Sequence, residues 1–216
     1  MIFLLDERSI EFPPAELAEE DGLLAVGGDL SAPRLLQAYQ SGIFPWFSDD
    51  TPILWYSPHE RFVIHPRNIK ISKSMRGVLR SGKFKVTEDQ AFGEVIRACA
   101  TTERKDQDGT WITSDMQHAY IRLHEMGHAH SIEVWQQDKL VGGLYGVAVN
   151  AVFCGESMFS HISNASKTAL IWLCLNKNYA LIDCQVYSEH LESMGAEMIS
   201  REQYNEIITG ADRTDG

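Results

Sequence analysis

Residues 130–156 constrain the fold of this chain more than any other stretch. His130-Ser131-Ile132-Glu133-Val134-Trp135 alternates as a half-buried strand does. Gln137-Asp138-Lys139 supplies a polar hairpin turn, residues 140–148 return as a second strand, and Ala151-Val152-Phe153-Cys154-Gly155-Glu156 gives a third. Strands joined so closely run antiparallel, because a parallel connection needs a crossover of about a dozen residues or more.

Around this meander the pattern turns helical. Residues 72–79 read as a helix with Lys73, Arg76 and Arg80 on one face and Met75, Val78 and Leu79 buried. A strand at 84–86, a helix at 91–100 and a helix opening at Ser114 and stopping at Gly127 follow. Beyond the meander come a helix over 165–176 with Asn164 as its cap, a buried strand at 181–186, and a helix over 188–194 ending at Gly195. This order suits an α+β domain of the acetyltransferase-like (GNAT-like) kind, with a mixed, mostly antiparallel sheet.

The N-terminal part differs. Met1-Ile2-Phe3-Leu4-Leu5 runs straight into Asp6, Glu7 and Arg8, so it reads as a first strand and lacks the build of a secretory signal. Pro13-Pro14 and Glu19-Glu20-Asp21-Gly22 are loop. Asp29 or Ser31 caps a helix with Pro33 in its first turn, Leu35, Leu36 and Tyr39 on its apolar stripe, and Gly42 at its end. Residues 43–58 hold too many aromatics and prolines for long regular structure, and Phe62-Val63-Ile64 is a short strand. The expected division is a small N-terminal domain at 1–62, a larger domain at 63–209, and a tail at 210–216 with nothing to bury.

Charge is distributed unevenly. The net charge of −11 speaks against nucleic acid as an average. Yet residues 61–85 hold Arg61, Arg67, Lys70, Lys73, Arg76, Arg80, Lys83 and Lys85 with no acid, a +8 segment that leaves −19 on the rest. Such asymmetry can mark a polyanion site on an acidic body. Cys99, Cys154, Cys174 and Cys184 form no C-x-x-C pair and sit among apolar neighbours, as reduced buried thiols of a cytoplasmic protein do. No apolar run approaches the roughly 18–20 residues that span a bilayer.

His124-Glu125-Met126-Gly127-His128 is a literal H-E-x-x-H string. Zinc chemistry needs both histidines on one face of a continuing helix. Gly127 stands where the helix should stop, so no metal is expected.

Two strings carry polar groups inside apolar strands: Phe153-Cys154-Gly155-Glu156-Ser157-Met158-Phe159 and Leu181-Ile182-Asp183-Cys184-Gln185-Val186. In a regular strand Asp183 and Gln185 share a face. Burying a carboxylate is costly unless it is paired or used. From the residues alone, Asp183 is either a tie between strands or a catalytic group, and Glu156 poses the same question.

At these residues the chain resembles a known family. Gly27-Gly28-Asp29-Leu30, Gly42-Ile43-Phe44-Pro45-Trp46-Phe47, Trp55-Tyr56-Ser57-Pro58, Gly109-Thr110-Trp111-Ile112-Thr113, Phe153-Cys154-Gly155-Glu156-Ser157-Met158-Phe159, Asn164-Ala165-Ser166-Lys167-Thr168-Ala169-Leu170 and Asp183-Cys184-Gln185-Val186 are similar to the leucyl/phenylalanyl-tRNA–protein transferases, a match over about residues 10–205. The resemblance implies transfer of Leu or Phe from aminoacyl-tRNA to proteins bearing N-terminal Arg or Lys, which marks them for degradation in the N-degron pathway. It implies no cofactor, no membrane and a monomer. Consistently, the helix opening Asn164-Ala165-Ser166-Lys167 lacks the Q-x-x-G-x-G/A pyrophosphate loop of coenzyme A enzymes.

The resemblance also assigns residues. Asp183 would act as general base toward the acceptor amine, with Gln185 relaying the proton or fixing the substrate carbonyl. Leu144, Phe153, Glu156, Met158, Leu170, Leu173 and Ile182 would line the donor amino-acid pocket, with Glu156 reading either the donor α-amine or the basic acceptor. Tyr39, Trp46, Trp111 and Tyr120 would hold the 3′ adenosine, and Lys73, Arg76, Arg80 and Lys83 the tRNA backbone. Two rivals stand beside this: an acetyl-CoA-dependent acetyltransferase, and a non-catalytic tRNA-binding module. The second leaves Asp183 and Gln185 without a purpose.

Overall fold

The computed structural model describes residues 2–102 and 112–210. The N-terminal part forms a small four-stranded sheet in the order β1-β2-β4-β3, from β1 (Phe3–Leu5), β2 (Leu23–Gly27), β3 (Phe44–Pro45) and β4 (Leu54–Tyr56). Helix α1 (Ala32–Gln40) sits between β2 and β3 and ends at Gly42, whose φ of +70° closes the turn into β3. The proline-broken stretch at 43–58 thus yields only two- and three-residue strands.

The rest of the chain builds around a seven-stranded sheet. Its strands are β5 (Glu60–Ile64), β6 (Lys85–Glu88), β7 (Ala129–Gln136), β8 (Lys139–Val149), β9 (Val152–Ser160), β10 (Leu181–Gln185) and β11 (Glu197–Ser200), in the order β11-β5-β10-β9-β8-β7-β6. The meander β7-β8-β9 is antiparallel, as the alternation requires. Within this sheet the parallel pair is β9 with β10, and the helix α5 (Ala165–Asn176) makes the crossover between them. The fold is therefore α+β with a mixed, mostly antiparallel sheet. The domain division expected near residue 62 falls within β5, which pairs only in the large sheet.

Helices cover both faces. On one, α2 (Lys73–Arg80), α5 and α6 (Glu189–Ser193) enclose a core of Met75, Leu144, Phe153, Leu170, Leu173 and Ile182. On the other, α3 (Phe92–Thr101), α4 (Ser114–Glu125) and α7 (Arg201–Thr209) pack with α1 over Leu35, Tyr39, Trp55, Tyr120, Val147 and Tyr204. This second core is continuous with the small sheet, so that sheet presses its loops against the large one.

Several local expectations change. Asn164 does not cap α5 with its side chain; it takes φ +74° and turns the chain into the helix. Leu79 is 36% exposed and not part of the buried face of α2. β9 runs four residues past Glu156, and β2, β11 and α7 are elements beyond those the sequence pattern predicts. Among the described residues no helix is long and apolar enough to cross a membrane. Of the expected tail, residues 211–216 lie outside the described residues.

Candidate active site

β10 pairs with β9 for only three residues, Leu181↔Val152, Ile182↔Phe153 and Asp183↔Cys154. The two strands then part, and a cavity of about 560 Å³ opens where they separate. On its other side β10 slips register against β5 between Asp183 and Gln185. Gln185 takes φ +62°, a conformation that costs a non-glycine residue free energy and therefore needs outside support. The regular alternation expected of Asp183 and Gln185 is thus interrupted by a bulge.

Asp183 supplies the support. Its Oδ1 accepts the Gln185 backbone N–H at 2.8 Å. Arg61 grips both oxygens, with Nε 3.1 and 3.2 Å away and Nη2 2.7 Å from Oδ2. Tyr204 donates its hydroxyl to Oδ2 at 2.9 Å. A carboxylate has about four lone-pair sites, so Asp183 is saturated, and it is 0% exposed. To take a proton from a substrate it would have to release one of these donors. The base role expected of it does not fit this geometry, whereas the strand-tie reading does.

Arg61 belongs to the +8 segment but not to its surface. Its guanidinium is buried, lies 4.6 Å from the Phe44 ring centre and 4.5 Å from that of Tyr204, and donates to the Gly42 carbonyl at 2.8 Å. Burial lowers its pKa, but the Asp183 carboxylate more than offsets this and leaves it above the ordinary value. Sequence reasoning missed both Arg61 and Tyr204. The one available signal was indirect: a carboxylate in an apolar strand demands a cation.

Glu156 is the second carboxylate on the cavity wall. Its Oε1 accepts from the Tyr39 hydroxyl at 2.6 Å and from Gln185 Nε2 at 2.8 Å, and Oε2 accepts from the Tyr120 hydroxyl at 3.1 Å. Oε2 keeps an open lone pair. Burial pushes its pKa up to about 7, against the opposing pull of the hydrogen bonds from Tyr39, Gln185 and Tyr120. Gly155 lets β9 run beside β10 here, since a Cβ would stand 3.2 Å from the Asp183 carbonyl oxygen.

The seven residues expected to line a donor pocket, Leu144, Phe153, Glu156, Met158, Leu170, Leu173 and Ile182, all border this cavity, as do Asp183, Gln185 and Trp46. Trp46 is 37% exposed at the rim, beside Tyr56. Tyr39 and Tyr120, expected to help hold adenosine, are buried at 1% and 0% exposure with their hydroxyls in mutual contact. Neither offers a face to a base; they support Glu156 instead. Trp111 lies outside the described residues. Lys73, Arg76 and Arg80 on α2, and Lys83 after it, are exposed on the body of the protein and border no part of the cavity.

The H-E-x-x-H string takes no zinc geometry. α4 ends at Glu125, Gly127 turns with φ +81°, and His124 Nδ1 lies 2.8 Å from the Ala129 carbonyl oxygen. Elsewhere Glu88, Asp89 and His130 bring ligand atoms within 4.8 Å of one another. Lys177 Nζ already stands 2.6 Å from Glu88, and His130 Nδ1 2.7 Å from Asp89.

A largely apolar cavity bordered by a carboxylate of raised pKa and an amide is suited to a group-transfer enzyme that seats an apolar side chain and moves a proton beside it. The model of the leucyl/phenylalanyl-tRNA protein transferase family matches residues 63–209, and that of its N-terminal domain residues 28–59. The chain is 58% identical over 204 residues to the leucyl/phenylalanyl-tRNA–protein transferase of Syntrophus aciditrophicus, covering 93% of this chain and 85% of the relative. It is 56% identical to that of Syntrophobacter fumaroxidans, over 96% of this chain and 89% of the relative. With that of Flavobacterium johnsoniae it shares 52% identity, over 93% and 96%. The chain belongs to the leucyl/phenylalanyl-tRNA–protein transferase family, and so to the aminoacyltransferases.

Proposed function

We propose that this chain moves Leu or Phe from aminoacyl-tRNA onto the α-amine of proteins that begin with Arg or Lys, marking them for degradation by the N-degron pathway. The cavity between the parting strands carries the reading: its walls are apolar from Leu144 to Ile182, and its polar groups gather at Glu156 and Gln185. Leu or Phe seats against those walls. The terminal adenosine stacks on Trp46 at the rim, a contact worth roughly 1–3 kcal/mol. The RNA backbone follows the exposed cations of α2.

The donor ester is already activated, so no covalent enzyme intermediate is needed. An N-terminal amine has a pKa of about 7.7–8 and is largely protonated at neutral pH. Glu156, with its pKa raised to about 7 and an open lone pair, takes that proton. The amine nitrogen attacks the ester carbonyl, the new N–C bond forms, and the bond to the ribose oxygen breaks. Glu156 returns that proton to the ribose oxygen, which leaves as a hydroxyl. The carboxylate then takes the second proton from the nitrogen and passes it to solvent, leaving a neutral amide. Gln185 orients Glu156 and the reacting groups. Asp183 and Arg61 are positioning residues that hold Gln185 in its strained conformation. Holding amine against ester is the largest contribution, since orientation alone supplies several kcal/mol.

In this reading residues 1–62 are a small N-terminal domain that brings Trp46 to the rim, and 63–209 the transferase domain. It acts as a cytoplasmic monomer without a coenzyme. The test is transfer of labelled Phe or Leu from charged tRNA to an Arg-initiated peptide. Labelling of that peptide, and not of an otherwise identical Glu-initiated one, supports it; labelling of neither removes it.

A further inference from the structure

We infer that a second cavity, on the far side of α6 from the first, is a seat for a phosphodiester of the tRNA acceptor end, built by Lys70 and Lys167. The inference rests on the transferase reading above. The cavity measures about 200 Å³, room for one phosphate group. Lys70 and Ser72 line it from the segment entering α2, Lys167 and Ile171 from α5, and Ser193 and Met194 from the end of α6.

Among the described residues no carboxylate lines it. Lys70 and Lys167 have no ion-pair partner among the described residues, whereas Lys177 in the same fold has found Glu88. Lys70 and Lys167 both line this small cavity, and like charges near one another repel while an anion between them attracts both. The serines add little, because Ser193 donates to the His190 carbonyl and Ser72 caps α2 through Met75. The lysines are the binding groups.

Position decides which anion. α6 is the wall between the two cavities: His190 and Leu191 face the large one, Ser193 and Met194 the small one. On the opposite side the small cavity adjoins the start of α2, where Lys73, Arg76 and Arg80 continue the positive charge. A strand of RNA with its aminoacylated end in the large cavity and its body on α2 passes this point. The charge of Lys167 is felt across α6, where, after burial, it helps lower the pKa of His190.

The experiment compares two donors in wild type, Lys70→Gln, Lys167→Gln and the double variant. Phe-tRNA carries the phosphodiesters; the 3′-phenylalanyl ester of adenosine carries none. We expect KM for Phe-tRNA to rise about tenfold in the double variant, with kcat/KM for the adenosine ester within about twofold of wild type, and Lys167→Arg to restore Phe-tRNA binding. The slope of log KM against log salt should flatten by roughly 0.7 per lysine lost. Equal losses on both donors, or unchanged KM and salt slope for Phe-tRNA, overturn the seat. So does protection of the wild type by inorganic phosphate with no effect of the substitutions on tRNA. Failure of the wild type to use either donor would instead remove the transferase reading, and the seat with it.

Discussion

Arg61 and Asp183 form a fully buried ion pair, 2.7 Å from Nη2 to Oδ2, that fastens β5 to β10 directly beneath the bulge carrying Gln185. Through the Gly42 carbonyl, Arg61 also reaches the turn that leads into Phe44-Pro45-Trp46. One guanidinium thus links the rim of the cavity to its floor.

Removing one partner strands the other charge in the core. Asp183→Asn and Arg61→Gln should each lower stability by about 3–5 kcal/mol. Urea denaturation measures this, and the double variant should lose less than the sum of the two. Strict additivity would mean the two residues stabilise the fold independently.

Glu156 makes stability depend on pH. Its pKa in the fold is about 7 against an ordinary 4.5, so between those values the folded protein binds more protons than the unfolded chain. Stability from this group is full below about pH 4.5 and is lost as pH rises toward 7. Glu156→Gln should remove that slope and be the more stable protein at pH 8. Parallel denaturation curves for the two proteins across pH 5–8 would contradict the buried assignment.

Trp46 stands at the cavity rim, 5.8 Å from Tyr56 between ring centres. Trp46→Ala should raise KM for Phe-tRNA about 5- to 150-fold, the range expected for one lost base stack of roughly 1–3 kcal/mol, with little change in kcat. A fall in kcat at constant KM would place the ring in the chemistry instead.

The basic face of α2 should act through salt. Neutralising Arg76 and Arg80 together should weaken binding of any tRNA and flatten the salt dependence of log K by roughly 1.5–2. An unchanged slope in a binding titration would detach this face from the RNA.

The legible parts of the fold were those with local signals. The meander showed in its alternation and turns, α2 in its one-sided charge, and the end of α4 in Gly127. The two polar strings were legible too, because a polar residue in an apolar strand stands out; the residues of the cavity walls came only from the family resemblance. What stayed hidden was long-range or conformational. Nothing near Asp183 points to Arg61, 122 residues away, and the run 61–85 made that arginine look like surface charge. The positive φ of Gln185 leaves no mark on a non-glycine residue. Tyr39 and Tyr120 read as aromatic surfaces, although their hydroxyls are what the site uses. α7 did carry a readable start, the Ser200 and Gln203 capping box. β11 before it is short and half exposed, so it carries no clear alternation.

The most direct test of the account is the single-turnover rate of Phe transfer from Phe-tRNA to saturating Arg-initiated peptide, measured from pH 5.5 to 9 for wild type and Glu156→Gln. With Glu156 as proton acceptor, the wild-type rate rises through a midpoint of about 7. The variant should be slower by at least ~10², with its midpoint moved to the amine's own value near 7.7–8. A variant that keeps the wild-type rate and midpoint would contradict the account.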